Sequence, residues 1–127
     1  MNFYCLCGQS QPFDACCKPF LQGDMLPQTP EQLMRSRYVA YALGGHGNYL
    51  LKTWFPPMAK MLSEAQLSEK TQDWLGLEVI ETGTNGFEGW VEFKATFKQA
   101  GQRQVMHERS VFTFVAGKWF YIGGDIK

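Results

Sequence analysis

All four cysteines of the chain, Cys5, Cys7, Cys16 and Cys17, fall within its first seventeen residues as a Cys-x-Cys pair, eight intervening residues and a Cys-Cys pair. Ligand pairs on two short turns are an economical way to bring four sulfurs to one point, which is what a structural zinc ion requires. The segment Gly8-Gln9-Ser10-Gln11-Pro12 is rich in turn formers, so the chain can fold back between the pairs. Asp14 stands where it would cap a short helical turn, placing Cys16 and Cys17 near a helix N-terminus that favours thiolate. Adjacent side chains on a helix diverge by roughly 100°, so the convergence of Cys16 and Cys17 on one ion is the demanding step. A disulfide within either pair would close a small strained ring, whereas bridges across the loop are feasible in an oxidising compartment. A Cys-x-x-Cys redox motif is missing from the sequence. The expected cofactor is zinc, on Cys5, Cys7, Cys16 and Cys17.

A second set of reactive groups is scattered and needs a fold to assemble it. Thr29-Pro30-Glu31-Gln32 predicts a helix start, with Thr29 as N-cap, Pro30 first and Gln32 at the reciprocal capping place; Gly44-Gly45 stops the helix after residue 43. Leu33, Met34, Arg37, Tyr38 and Tyr41 share one face of it, so Arg37 lies in the middle of an apolar stripe. Such an arginine reaches solvent past its own stem, meets a carboxylate, or aims its guanidinium into a pocket. Glu108, inside a strand, is the natural partner, and an Arg37–Glu108 ion pair is the expectation. The candidate pocket residues are Arg37, Tyr38, Tyr41, Trp54, Glu108 and Asp125, with catalysis by Glu108, Arg37 and Asp125 as the alternative to simple binding. His107 would join only if the opposite strand face lined the cavity, and His46, in a glycine-rich loop, reads as exposed.

The elements around them follow from pattern. Residues 18–28 form an apolar-studded connector whose Phe20, Leu21, Met25 and Leu26 pin the cysteine segment to the body. Residues 48–55 predict a second helix ended by Pro56-Pro57. Residues 58–71 predict a third, with Met58, Met61, Leu62, Ala65 and Leu67 on its apolar side, although Ser63 could cap a fresh start. From Trp74 the period becomes two: Leu75, Leu77 and Val79, then the Asn85-Gly86 hairpin, then Val91, Phe93, Ala95 and Phe97. Residues 105–115 and 119–122 complete a four-stranded meander. In the third strand Met106, Glu108, Ser110 and Phe112 oppose His107, Arg109, Val111 and Thr113, and the two sides are too alike in apolar content to say which is core. Helices before a curved antiparallel sheet make an α+β fold.

Composition narrows the class. The 127 residues carry 12 basic and 12 acidic side chains, which gives neither an electrostatic funnel for nucleic acid nor a basic membrane patch. No run approaches the ~18 apolar residues of a membrane span, and the first residues lack the basic and apolar regions of a secretory signal. The expected location is the cytoplasm, where grouped thiols serve metal or redox chemistry.

Cys-x-Cys, eight residues and Cys-Cys resembles the SEC-C motif. Leu33-Met34-Arg35-Ser36-Arg37-Tyr38, Thr53-Trp54, Trp74-Leu75-Gly76-Leu77 and Glu108-Arg109-Ser110 then follow in the order found in the YchJ-like bacterial proteins, a family largely of unknown function. The resemblance implies a zinc knuckle (residues 1–22) joined to a nuclear transport factor 2-like, cystatin-like cone (residues 29–127). It also implies a protein partner docking through the knuckle, with Phe3, Phe13 and Lys18 as contacts unless the two phenylalanines pack against the main domain, and pairing of two copies through the sheet. The aromatic share of 15% suits a small apolar ligand in the cone. The chain departs from the family pattern at Leu6, Gln9 and Phe55, and its 127 residues contain one knuckle where many relatives have two.

Overall fold

Backbone preferences set the frame of the computed structural model, which describes residues 4–127. Four strands, β1 (Asp73–Asn85), β2 (Glu88–Gln99), β3 (Gln102–Val115) and β4 (Lys118–Ile126), form one antiparallel sheet in chain order. Each is joined to the next by a two-residue turn, since Asn85 pairs with Glu88, Gln99 with Gln102 and Val115 with Lys118. At Gly86-Phe87 only the glycine has positive φ (65°), whereas Ala100-Gly101 and Ala116-Gly117 are positive at both places. These are the mirror-image turns whose twist matches that of the strands they connect.

The sheet has a buried face, and register identifies it. Side chains directly opposite in an antiparallel pair share a face. Val91, Phe93 and Ala95 are buried and lie opposite Ser110, Glu108 and Met106, so the Met106–Glu108–Ser110–Phe112 side of β3 is the inner one. His107 and Arg109 therefore face outward. The ladder shifts between Val111 and Phe112, where Ile122 is the extra residue of β4. This bulge turns Tyr121 inward opposite Phe112 and leaves Asp125 outward opposite Arg109.

Helix α2 (Pro30–Leu43) crosses the inner face and buries Leu33, Met34, Arg37, Tyr38 and Val39. Its start follows the capping rules: Thr29 Oγ1 accepts from Gln32 N at 3.1 Å, and Gln32 Oε1 accepts from Gln28 N at 2.7 Å, one residue earlier than the reciprocal cap expected. Helix α1 (Lys18–Gln22) precedes it, and α3 (Gly47–Lys52) and α4 (Glu64–Ser68) follow. The helix expected over 58–71 is much shorter. Ser63 caps α4 by accepting from Gln66 N at 3.2 Å, while Met58 and Met61 are 56% and 91% exposed and contribute nothing to the core. Likewise α3 ends at Lys52, three residues before the expected end. Among the described residues no helix is long and apolar enough to cross a membrane.

Candidate metal centre and cone cavity

The cysteine segment folds as a small closed loop. Tyr4 bridges antiparallel to Pro12, Cys5 N donates to Gln11 O at 2.7 Å, and Gly8 N donates back to Cys5 O at 3.3 Å. A 3-10 turn (Phe13–Ala15) and then α1 follow. Asp14 caps neither, because it sits inside the first turn and pairs with Lys18 at 3.5 Å. Cys16 falls between the two turns with φ −121° and ψ −93°, outside helical and extended geometry. That break removes the divergence of neighbouring helical side chains, so the Sγ atoms of Cys16 and Cys17 lie 4.0 Å apart and that of Cys16 reaches Cys7 at 3.5 Å. All four Sγ atoms lie within 4.8 Å of one another, and Cys5, Cys7 and Cys17 are buried. The group is compatible with a metal site.

Charge in this cluster is unequally shared. Hydrogen bonding from the Cys17 thiol brings the Cys7 thiol down to about 5. Burial pushes Cys16 up to about 12, and Cys17 is pushed up by donating its proton to Cys7. Cys7 holds a thiolate readily, whereas Cys16 and Cys17 give up their protons only with a cation present.

The knuckle is fastened to the body. Arg35 on α2 pairs with Glu31 at 2.8 Å and donates through Nη1 to Cys7 O. Gly8 has φ +94°, and a Cβ there would stand 2.8 Å from Leu77 O on β1. Phe20 is buried, and Phe13 and Leu21 pack against the core. Met25 and Leu26, expected as pins, are exposed. Phe3 lies outside the described residues.

Between α2 and the inner sheet face lies a cavity of about 280 Å³. Arg37, Tyr38, Tyr41 and Glu108 line it together with Trp74, Phe93, Ser110, Phe112 and Tyr121. The other two candidates are elsewhere. Asp125 is exposed on the outer sheet face, because the β4 bulge sets the register there. Trp54 lies behind Tyr121, with ring centroids 5.1 Å apart.

The expected Arg37–Glu108 ion pair does not form. Arg37 Nη1 donates to Leu50 O at 2.8 Å and to Thr53 Oγ1 at 2.7 Å. Its guanidinium carbon stands 4.8 Å from the Trp54 centroid and 4.5 Å from that of Tyr121. Burial works against the Arg37 charge, and two ring faces with two oxygen acceptors offset it. Glu108 Oε2 instead accepts from Ser110 Oγ at 2.6 Å. Burial pushes the Tyr38 and Tyr121 phenols up to about 12, and that of Tyr41 up as well, so all three are neutral donors at physiological pH. On the outer face His107 bonds Glu92 at 2.8 Å and has no part in the cavity.

Ser110, Tyr121 and Trp74 were not among the expected pocket residues. Ser110 was accessible as the second residue after Glu108 on one strand face. Tyr121 was not, because a bulge decides where it points.

Residues 29–124 match the family described as "YchJ, middle NTF2-like domain". A UPF0225 protein of Serratia proteamaculans is 41% identical over 94% of this chain and 81% of its own length. A UPF0225 protein of Photorhabdus laumondii is 40% identical over 98% and 81%. The solution structure of a SEC-C motif containing protein from Rhodopseudomonas palustris superposes with a TM-score of 0.88 at 34% identity, covering 97% of this chain and 98% of that one. The crystal structure of a SEC-C motif containing protein from Psychrobacter arcticus gives 0.84 at 27% identity, covering 98% and 82%.

Proposed function

The chain belongs to the YchJ-like family of unknown function, and from that premise we propose that it is a zinc-stapled binding protein whose cone takes a small molecule. A zinc ion with bonds of about 2.3 Å to four sulfurs sets neighbouring sulfurs about 3.8 Å apart. The Cys7–Cys16 and Cys16–Cys17 separations, 3.5 and 4.0 Å, bracket that value. Cys5, Cys7, Cys16 and Cys17 would fill every position of the ion, which makes its role structural. A cytoplasmic setting, which keeps thiols reduced, suits such a cage.

The observation that carries the binding role is the cavity itself: an apolar chamber with a few convergent polar groups, the usual form of a ligand site. The catalytic alternative is weaker, since Asp125 lies on the other face and Arg37 is occupied by Leu50 and Thr53. The test is metal analysis of chelator-free protein, then a thermal-shift screen of small metabolites. One zinc per chain and stabilising compounds are expected, with stabilisation lost in Ala95→Trp, which fills the chamber.

A second reading, docking of a protein on the knuckle, is favoured by the exposure of Tyr4 (64%) and Leu6 (51%) there. The expected contacts Phe13 and Lys18 are less suited, being half-buried and paired with Asp14. Capture of a partner by the full chain and its loss in a Tyr4→Ser, Leu6→Ser variant that keeps its zinc would support this reading.

A further inference from the structure

We propose that the cone's ligand is a small primary monoamine with an apolar body, its ammonium seated on the Glu108 carboxylate; this rests on the cone being a binding site. Among the described residues the cavity wall has one cation and one anion, Arg37 and Glu108, and they are not equally satisfied. Arg37 spends Nη1 on Leu50 O and Thr53 Oγ1, and its plane on Trp54 and Tyr121. Those partners belong to α3, the residues after it and β4, so the framework supplies the guanidinium with two acceptors and two ring faces before any ligand arrives. Glu108 has one hydrogen-bond partner among the described residues, Ser110 Oγ, and no ion pair. A half-buried carboxylate with most of its acceptor capacity unused favours a donor, and a charged one answers best.

The surroundings specify the rest of the ligand. Trp74, Phe93, Phe112 and the rings of Tyr38, Tyr41 and Tyr121 line the chamber, and ring faces attract an ammonium while their area suits a hydrocarbon body. A Cβ on Gly124 would stand 2.5 Å from Glu108 Oε2, so glycine on β4 gives the carboxylate room to lie inside the cone. One unmatched carboxylate takes one ammonium, and a second positive charge would meet apolar wall and the Arg37 guanidinium. An anionic ligand would have only Nε and Nη2 of Arg37 left to it, since Nη1 and the ring-stacked plane are engaged.

The test is calorimetric titration of the full zinc-loaded chain with 2-phenylethylamine, 2-phenylethanol and phenylacetate, which share a skeleton and differ in the polar end. The amine is expected to bind about tenfold tighter than the alcohol or more, and Glu108→Gln to weaken the amine by about tenfold to a hundredfold while leaving the alcohol unchanged. Alcohol binding as tightly as amine, or phenylacetate binding best, overturns the ammonium assignment and leaves the cone a binding site. Binding of none of the three, with no stabilising compound in the metabolite screen, removes the cone reading itself. The comparison on the unaltered protein decides the matter even where E108Q fails to fold.

Discussion

Arg37 and Glu108 border the same cavity without touching: the guanidinium holds Leu50 O and Thr53 Oγ1, and the carboxylate holds Ser110. Their roles in stability are therefore separable. Arg37→Met removes the charged donor to Leu50 O and Thr53 Oγ1 and the guanidinium packed on Trp54 and Tyr121, an expected loss of about 2–4 kcal/mol. Glu108→Gln keeps shape and the Ser110 bond, and an effect within about 1 kcal/mol is expected. Urea denaturation of both single variants and the double one should give a coupling below about 0.5 kcal/mol. A coupling of about 2 kcal/mol would mean that the pair forms in solution.

Zinc uptake should release protons. Cys16, pushed up to about 12, and Cys17, also raised, enter metal-free protein as thiols at neutral pH, whereas all bound ligands are thiolates. At least those two protons leave per zinc, so affinity rises with pH. In metal-free protein the sign for Cys7 is that of a depressed acid: its folded value, about 5, lies below the ordinary 9. Its stabilisation is complete above pH 9 and is lost as pH falls through 5. Calorimetry in buffers of different ionisation enthalpy measures the proton count, and a count near zero would contradict the thiol assignment.

How far the sequence reaches can be seen residue by residue. Cys5, Cys7, Cys16 and Cys17 were legible because ligand chemistry lies in residue type and spacing. Their convergence was not, because it turns on the φ and ψ of Cys16 and on the closure of the loop before it. The burial of Arg37 follows from helical period, but its partners Thr53, Leu50, Trp54 and Tyr121 come from segments that only tertiary packing brings near. The inner face of β3 is hidden in its own pattern and settled by pairing with β2. Met58 and Met61 carry helical spacing, yet no apolar surface covers them, and spacing without a packing partner does not sustain a helix.

The weld between knuckle and body should matter to the metal as well as to the fold. Arg35 donates to Cys7 O, and Gly8 lies against Leu77 O with φ +94°. Arg35→Ala is expected to destabilise by about 1–2 kcal/mol and to speed zinc transfer to a chelator. Gly8→Ala meets both a left-handed backbone and a carbonyl, and about 2–3 kcal/mol is expected. Thermal unfolding with a colorimetric chelator assay reads both effects; unchanged zinc transfer in Arg35→Ala would show that the knuckle holds its metal without the body.

The hairpin turns offer a gain that leaves the cone untouched. Ala100 and Ala116 both sit at φ 52°, a left-handed conformation that an L side chain adopts at a cost of about 1 kcal/mol or more. Each opens a turn whose second residue is a glycine with positive φ, and asparagine is the preferred residue at that first place because its side chain bonds locally. Both alanines are exposed, so the larger side chain meets solvent. Ala100→Asn and Ala116→Asn should each add about 0.5–1 kcal/mol, roughly additively, since they lie at opposite ends of β3. A lower urea midpoint in either variant would mean that the turn is not the mirror-image type described, and the register that points Glu108 into the cone and Asp125 out of it would need redrawing.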